Sequence, residues 1–230
     1  MNQSNDTTRR VFLMSLPIFA ELLLQLLVGN VDQIMVSRYA QSSVAAIGNG
    51  NQLISLVIIL LNAMSAATTI LLSQSLGARD SKRAAEVCNA SVVILGLSSL
   101  LATALLIGFH RPLFVWLRVS EEVMAEACAY TVLVGSFTLV QGLYMTFTAI
   151  LRSYSMLREV MLASLVMNGV NIFGNALLIN GMFGLPALGV VGAAISTNLS
   201  KCVGLALVML LYRKKIGVPL SIFRARAFSR

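Results

Sequence analysis

Polarity along this chain varies on a long scale. Residues 39–78, 87–109, 127–151 and 160–200 carry no charged side chain, and short charged clusters separate them. A helix that crosses a bilayer needs about 20 predominantly apolar residues, and each run supplies that many. The run over 160–200 has 41 residues, too many for one crossing. It is interrupted by Asn180-Gly181-Met182-Phe183-Gly184-Leu185-Pro186, a turn-forming string that predicts two helices and a tight loop. Residues 11–36 form a further apolar span despite Glu21 and Asp32. The pattern predicts six spans, about 11–36, 50–75, 86–109, 124–150, 158–180 and 189–212. A short segment, 1–10, precedes them, and a basic tail, 213–230, follows.

Composition turns this pattern into a class. Soluble domains carry about 25% charged residues. This chain of 230 residues carries 11%, with 57% hydrophobic residues and a mean hydropathy of +0.84. Too little charge is present to cover a water-exposed surface, so the fold class is an all-α integral membrane protein. At about 20 residues per span the length holds six crossings and not twelve.

The net charge of +8 changes the picture only through its placement. The basic residues lie in clusters between apolar runs, with no basic stripe and interleaved aromatics, so nucleic acid is excluded as a partner. With the N-terminus inside, thirteen Lys and Arg fall on inner segments, and only Arg38, Arg111 and Arg118 fall on outer loops. That asymmetry predicts that both termini are cytoplasmic. Phe109, Phe114 and Trp116 flank an expected headgroup-level loop over 110–120 that contains His110. Cys88, Cys128 and Cys202 are widely spaced in apolar stretches and predict neither disulfides nor a metal site. The first span is too long for a signal peptide, and no small-residue cleavage site follows it. No nucleophile elbow, zinc-protease motif, Cys-X-X-Cys pair or phosphate-binding loop occurs. The expectation is neither an enzyme nor a nucleotide-driven pump, and no cofactor.

The candidate chemistry lies in polar residues placed where lipid would otherwise be. Glu21, Gln25 and Asp32 are spaced by 4 and 7 residues and share one helix face. Gln141, Tyr144 and Thr148 share a face of the fourth span, and Asn168, Asn171 and Asn175 share a face of the fifth. Asn62, Ser65 and Thr69 lie on the second, and Thr197, Asn198 and Lys201 on the sixth. These faces can turn towards a wet interior, or they can tie helices together by hydrogen bonds. A buried carboxylate is too costly for structural glue, so Glu21 and Asp32 point to an ion path. Glu21, Gln25, Asn62, Gln141, Tyr144 and Lys201 are the candidate cavity residues. At 1.5 Å per residue, Glu21 lies about 16 Å from Arg10 and Lys201 about 18 Å from Arg213. Both are near mid-depth, which predicts a Glu21–Lys201 ion pair if the first and sixth spans are neighbours. A carboxylate in a low-dielectric cavity holds a proton more readily than in water. With amide oxygens beside it, it can instead hold Na⁺, which takes oxygen ligands as other hard cations do. Either acid can supply the carboxylate for H⁺ or Na⁺ coupling, with Asn171 and Asn175 as amide partners and Asn168 next on their stripe.

Five segments carry a likeness. Leu16-Pro17 leads to Val31-Asp32-Gln33-Ile34-Met35-Val36, and Gln74-Ser75-Leu76-Gly77-Ala78-Arg79 follows the second span. Leu151-Arg152-Ser153 follows the fourth, Asn171 and Asn175 frame the fifth, and Gly184-Leu185-Pro186 opens the turn into the sixth. In this order they resemble the multidrug and toxic-compound extrusion (MATE) family over about residues 13–212. The resemblance implies an antiporter of the cell membrane that exports organic, often cationic or amphipathic drugs against inward flow of H⁺ or Na⁺. It also implies that Asp32 couples the cation and that Asn171 and Asn175 help form its site. The family has twelve helices in two six-helix lobes, and this chain matches one of them, the N-terminal half. The implied partners are the lipid bilayer, the small-molecule cargo and a second lobe, either a C-terminal half or a second copy. Half of a lipid-linked oligosaccharide flippase and a non-transporting membrane subunit are the rival readings. Two deep acids against one deep cation favour cationic cargo.

Overall fold

The computed structural model describes residues 41–179 and 186–218, Gly181 and, ahead of them, Leu16, residues 19–24, Leu26, Leu27, Asn30, Val31 and residues 34–37. Six helices follow one another: α1 Gln41–Gly77, α2 Ser81–Trp116, α3 Glu121–Gly135, α4 Thr138–Ser153, α5 Leu157–Ile179 and α6 Gly189–Lys215. The described residues before α1 are also helical, and no strand occurs among the described residues. Helices α1, α2, α5 and α6 are each long and apolar enough to cross a membrane. Helices α3 and α4 meet that condition only together, across a 46° bend, so the described residues hold four or five such crossings.

The bend divides the expected span over 124–150 into two helices. Gly135 ends α3 and Ser136 follows, with its hydroxyl turned back onto the Val132 carbonyl. A Gly/Ser pair is a recurrent cause of a sharp kink, because one residue adds no side chain and the other competes for a helix carbonyl. The expected loop over 110–120 is also shorter than predicted. Helix α2 continues through Pro112 to Trp116. It starts where Asp80 caps it, accepting the Arg83 amide at 2.9 Å. Three tight connections close in the same way. Arg79, Arg118 and Ser155 take left-handed φ angles of 57°, 57° and 60°. The next amide in each case reaches back to a carbonyl five residues earlier (Asp80 to Ser75, Val119 to Phe114, Met156 to Leu151). This is the Schellman arrangement, and it satisfies the orphan carbonyls of the helix ends.

Helix α4 runs through the middle of the lobe. It contacts α1, α2, α5 and α6, and residues 144–151 are buried on every side. Around it lie two apolar clusters. One gathers Leu53, Ile54, Leu106, Phe114, Ala127, Tyr130, Ile179 and Ala194. The other gathers Leu61, Leu72, Cys88, Ile150, Leu151, Val160, Val208 and Tyr212. Val57 and Ile58 touch both. Small residues let the helices approach, as in other membrane bundles where apolar burial alone drives little association. A Cβ on Gly192 of α6 would lie 2.5 Å from the Leu178 carbonyl oxygen of α5, and one on Gly142 of α4 would lie 1.7 Å from the Ser99 Oγ of α2. Leucines such as Leu97, Leu101 and Leu105 point outward, which suits a lipid-facing surface.

Candidate functional site

The three asparagines of α5 are on one face, and that face is turned into the lobe. Asn168, Asn171 and Asn175 are 8%, 5% and 1% exposed. They lie along the seam with α6. The Asn171 amide donates to Thr197 Oγ1 at 3.4 Å, and Ser196 Oγ donates to the Asn171 carbonyl at 2.8 Å. Asn168 donates to Ser164 Oγ at 3.5 Å, one turn back on its own helix. Asn198 ties α6 to α3 through the Leu133 carbonyl at 2.7 Å. The α5–α6 seam is therefore a buried polar layer that holds side-chain amides at several depths. Asp32 and Gln25 lie outside the described residues. No group of three His, Cys, Asp or Glu side chains occurs among the described residues, and the described polar groups of the seam are amides, hydroxyls and backbone carbonyls.

Glu21 takes a different partner from the one expected. Its carboxylate is buried, and both its oxygens accept from Arg152 Nη2 at 2.8 Å. Arg152 is at the end of α4, beyond the predicted fourth span, and its side chain reaches the first span from there. The expected Glu21–Lys201 pair is not formed. Lys201 has no ion-pair partner among the described residues. The reason is reach: an Arg head on a long flexible stem can leave a helix end and serve a carboxylate further in.

The remaining cavity candidates do not gather at one place. Tyr144 is buried in the centre of the lobe, Gln141 and Lys201 are half-buried, and Asn62 is exposed. Of the residues expected to share the Asn62 face, Ser65 bonds the Met145 carbonyl of α4 and Thr69 bonds the Ser65 carbonyl. Ser65 thus ties α1 to α4, while the Thr69 hydroxyl is satisfied within its own helix. An apolar groove of about 820 Å³ lies between α1 and α2, lined by residues such as Leu56, Leu60, Leu101, Leu105 and Phe109, and none of the cavity candidates lines it.

One feature escaped the sequence reading. Gln52, Ser55, Ile59, Asn62, Ala66 and Ser73 of α1 are all exposed. Their spacings alternate between 3 and 4 residues, then 7, so they form one stripe along a membrane-length helix. Polar side chains at such depth face a protein partner or a water-filled cleft rather than lipid. The spacing of Gln52, Ser55 and Asn62 was available in the sequence, but which side of α1 leaves the lobe was not.

Comparisons with known proteins bear on this architecture. The chain is 36% identical over 217 residues to the uncharacterized transporter YisQ of Bacillus subtilis (strain 168), covering 94% of this chain and 48% of that protein. It is 27% identical over 199 residues to the probable multidrug resistance protein NorM of Thermotoga maritima, covering 86% of this chain and 43% of that protein. A crystal structure described as MATE in the bent conformation superposes with a TM-score of 0.82 at 24% identity, over 96% of this chain and 48% of that one. The chain thus spans about half the length of the curated relatives it matches. The MatE family profile matches residues 17–177, which include the Glu21–Arg152 pair and the asparagine face of α5, and the chain belongs to the MatE family.

Proposed function

We propose that this chain is the N-terminal six-helix lobe of a cation-coupled antiporter of the cell membrane, with both termini cytoplasmic, and that it exports organic, cationic or amphipathic drugs in exchange for H⁺ or Na⁺. Family membership and relatives named as multidrug resistance proteins support the export reading. The observation that carries the coupling reading is the buried asparagine face of α5, which supplies polar oxygens inside the lobe. Asp32 is the acid that would bind the ion from outside. Asn171 and Asn175 would share a Na⁺ with it or hold its carboxyl in place when protonated, and Asn168 extends the same face. Alternating access requires two units that rock against each other around a site. The exposed polar stripe of α1 supports a second lobe, a C-terminal half or a second copy, seated across a cleft from it. The segment 213–230 then begins a cytoplasmic linker.

The test is Asp32→Asn in a transport-competent two-lobe protein. Membrane insertion is expected to persist, while ion-coupled efflux of a fluorescent drug falls to background. Unchanged efflux and ion flux would remove Asp32 from the mechanism.

A further inference from the structure

The two ends of the lobe differ in charge. Helices α1, α4 and α6 finish at the end where α2 and α5 begin, and Lys215 of α6 pairs there with Glu159 of α5. Arg79, Lys82, Arg83, Arg158, Arg213 and Lys214 are exposed at that end, and none of the six forms an ion pair among the described residues. The acids beside them are engaged elsewhere. Arg152 takes Glu21, Lys215 takes Glu159, and Asp80 caps α2 through the backbone amide of Arg83. Glu86 is the remaining acid there among the described residues. The opposite end carries Arg111 and Arg118 against Glu121, Glu122 and Glu126.

Two of these cations head apolar faces. On α5, Arg158, Leu162, Leu165 and Phe173 follow one another at spacings of 4, 3 and 8 residues and share a face. The three apolar side chains are 54%, 46% and 64% exposed, whereas the asparagines of the same helix are turned inward. On α2, Arg83 shares a face with the exposed Ile94, Leu97 and Leu101. Leu162 lies about 6 Å along α5 from Arg158, so hydrocarbon contact begins within one helical turn of the charge. An Arg stem lies well along apolar surface, and its guanidinium can hold two phosphate oxygens at once. A soluble polyanion would use the cations and leave the apolar faces in water. A phospholipid uses both. A zwitterionic headgroup also brings its own cation among six unpaired ones, and an anionic headgroup does not.

We propose that this end of the lobe binds anionic phospholipid, with Arg158 and Arg83 holding headgroup phosphates and the apolar faces below them seating the acyl chains. The inference goes beyond the export reading and does not depend on it.

The test uses the full chain in nanodiscs, which offer the same lipids to both ends whichever way the chain is oriented. Trp116 is the single tryptophan, so Leu162→Trp combined with Trp116→Phe moves the fluorescent reporter to the α5 face. Quenching by brominated phosphatidylglycerol and brominated phosphatidylcholine gives their relative binding there. Phosphatidylglycerol is expected to bind about fivefold more tightly, the effect of one basic residue at a membrane surface, and high salt should lower that preference. Arg158→Gln is expected to abolish it and Arg158→Lys to retain most of it, with quenching by phosphatidylcholine unchanged as the sign of an intact fold. The native Trp116, at the opposite end, should report no preference. Equal binding of the two lipids at the α5 reporter, a preference that survives Arg158→Gln, or the same preference at Trp116 would overturn the proposal and leave the efflux reading standing. Failure of the Asp32→Asn test would instead remove the coupling mechanism and leave this surface intact.

Discussion

At the scale of single residues, the informative contact is Glu21 with Arg152. Hydrogen bonds to charged groups contribute about 1.5–3 kcal/mol, and a buried charge left alone is costly. Arg152 is partly exposed, with a side-chain accessibility of 36% against 6% for Glu21, so water softens the loss on the arginine side. Glu21→Gln and Arg152→Gln are each expected to destabilise the lobe by about 1–3 kcal/mol. The double variant should lose less than the sum, with a coupling of about 1 kcal/mol or more in a thermal-unfolding cycle. Strict additivity would mean that the contact carries no energy. Both residues were visible in the sequence. Depth counted along straight helices paired Glu21 with Lys201 and left Arg152 at the rim, because such counting ignores how far a side chain can reach.

At the scale of elements, α5 and α6 are joined backbone to backbone. The Leu178 carbonyl accepts the Leu188 amide at 2.9 Å, and a Cβ at Gly192 would lie 2.5 Å from the same oxygen. Backbone cannot yield as a side-chain end can. Gly192→Ala is therefore expected to force the helices apart and cost about 1–3 kcal/mol, the usual range for overpacking. It should also raise hydrogen exchange in α5 and α6 while α1 and α2 stay protected. Exchange unchanged from wild type would show that the seam gives without cost. The loop between these helices was legible because Asn, Gly and Pro punctuate it. The 46° bend between α3 and α4 was not legible. Gly135-Ser136 lies inside a charge-free apolar run, and hydropathy does not register the backbone freedom of one glycine.

At the scale of the whole molecule, the question is which face meets which phase. Ala78 and Ser120 are exposed at opposite ends of α2. In a background lacking Cys88, Cys128 and Cys202, a cysteine at Ala78 is expected to react only with reagent supplied from the cytoplasm, and one at Ser120 only from outside. The reverse pattern would invert the topology derived from Lys and Arg placement. The exposed stripe through Gln52, Ser55 and Asn62 is the face of α1 that a second lobe would cover under the proposed function, since polar residues there are unsuited to lipid.

Hydropathy and charge placement were sufficient, in the sequence alone, to establish a helical membrane protein, the approximate position of its long helices and several of the polar residues inside it. Those properties depend on composition summed over about 20 residues and need no knowledge of neighbours. Only the tertiary structure decided which polar residues meet. It turned the asparagines of α5 onto α6 rather than towards open space, gave Glu21 to Arg152, left Lys201 without an ion-pair partner among the described residues and brought Asn62 to the outside. Those outcomes depend on helix register, a bend and the reach of individual side chains, and they appear only when the helices are packed together.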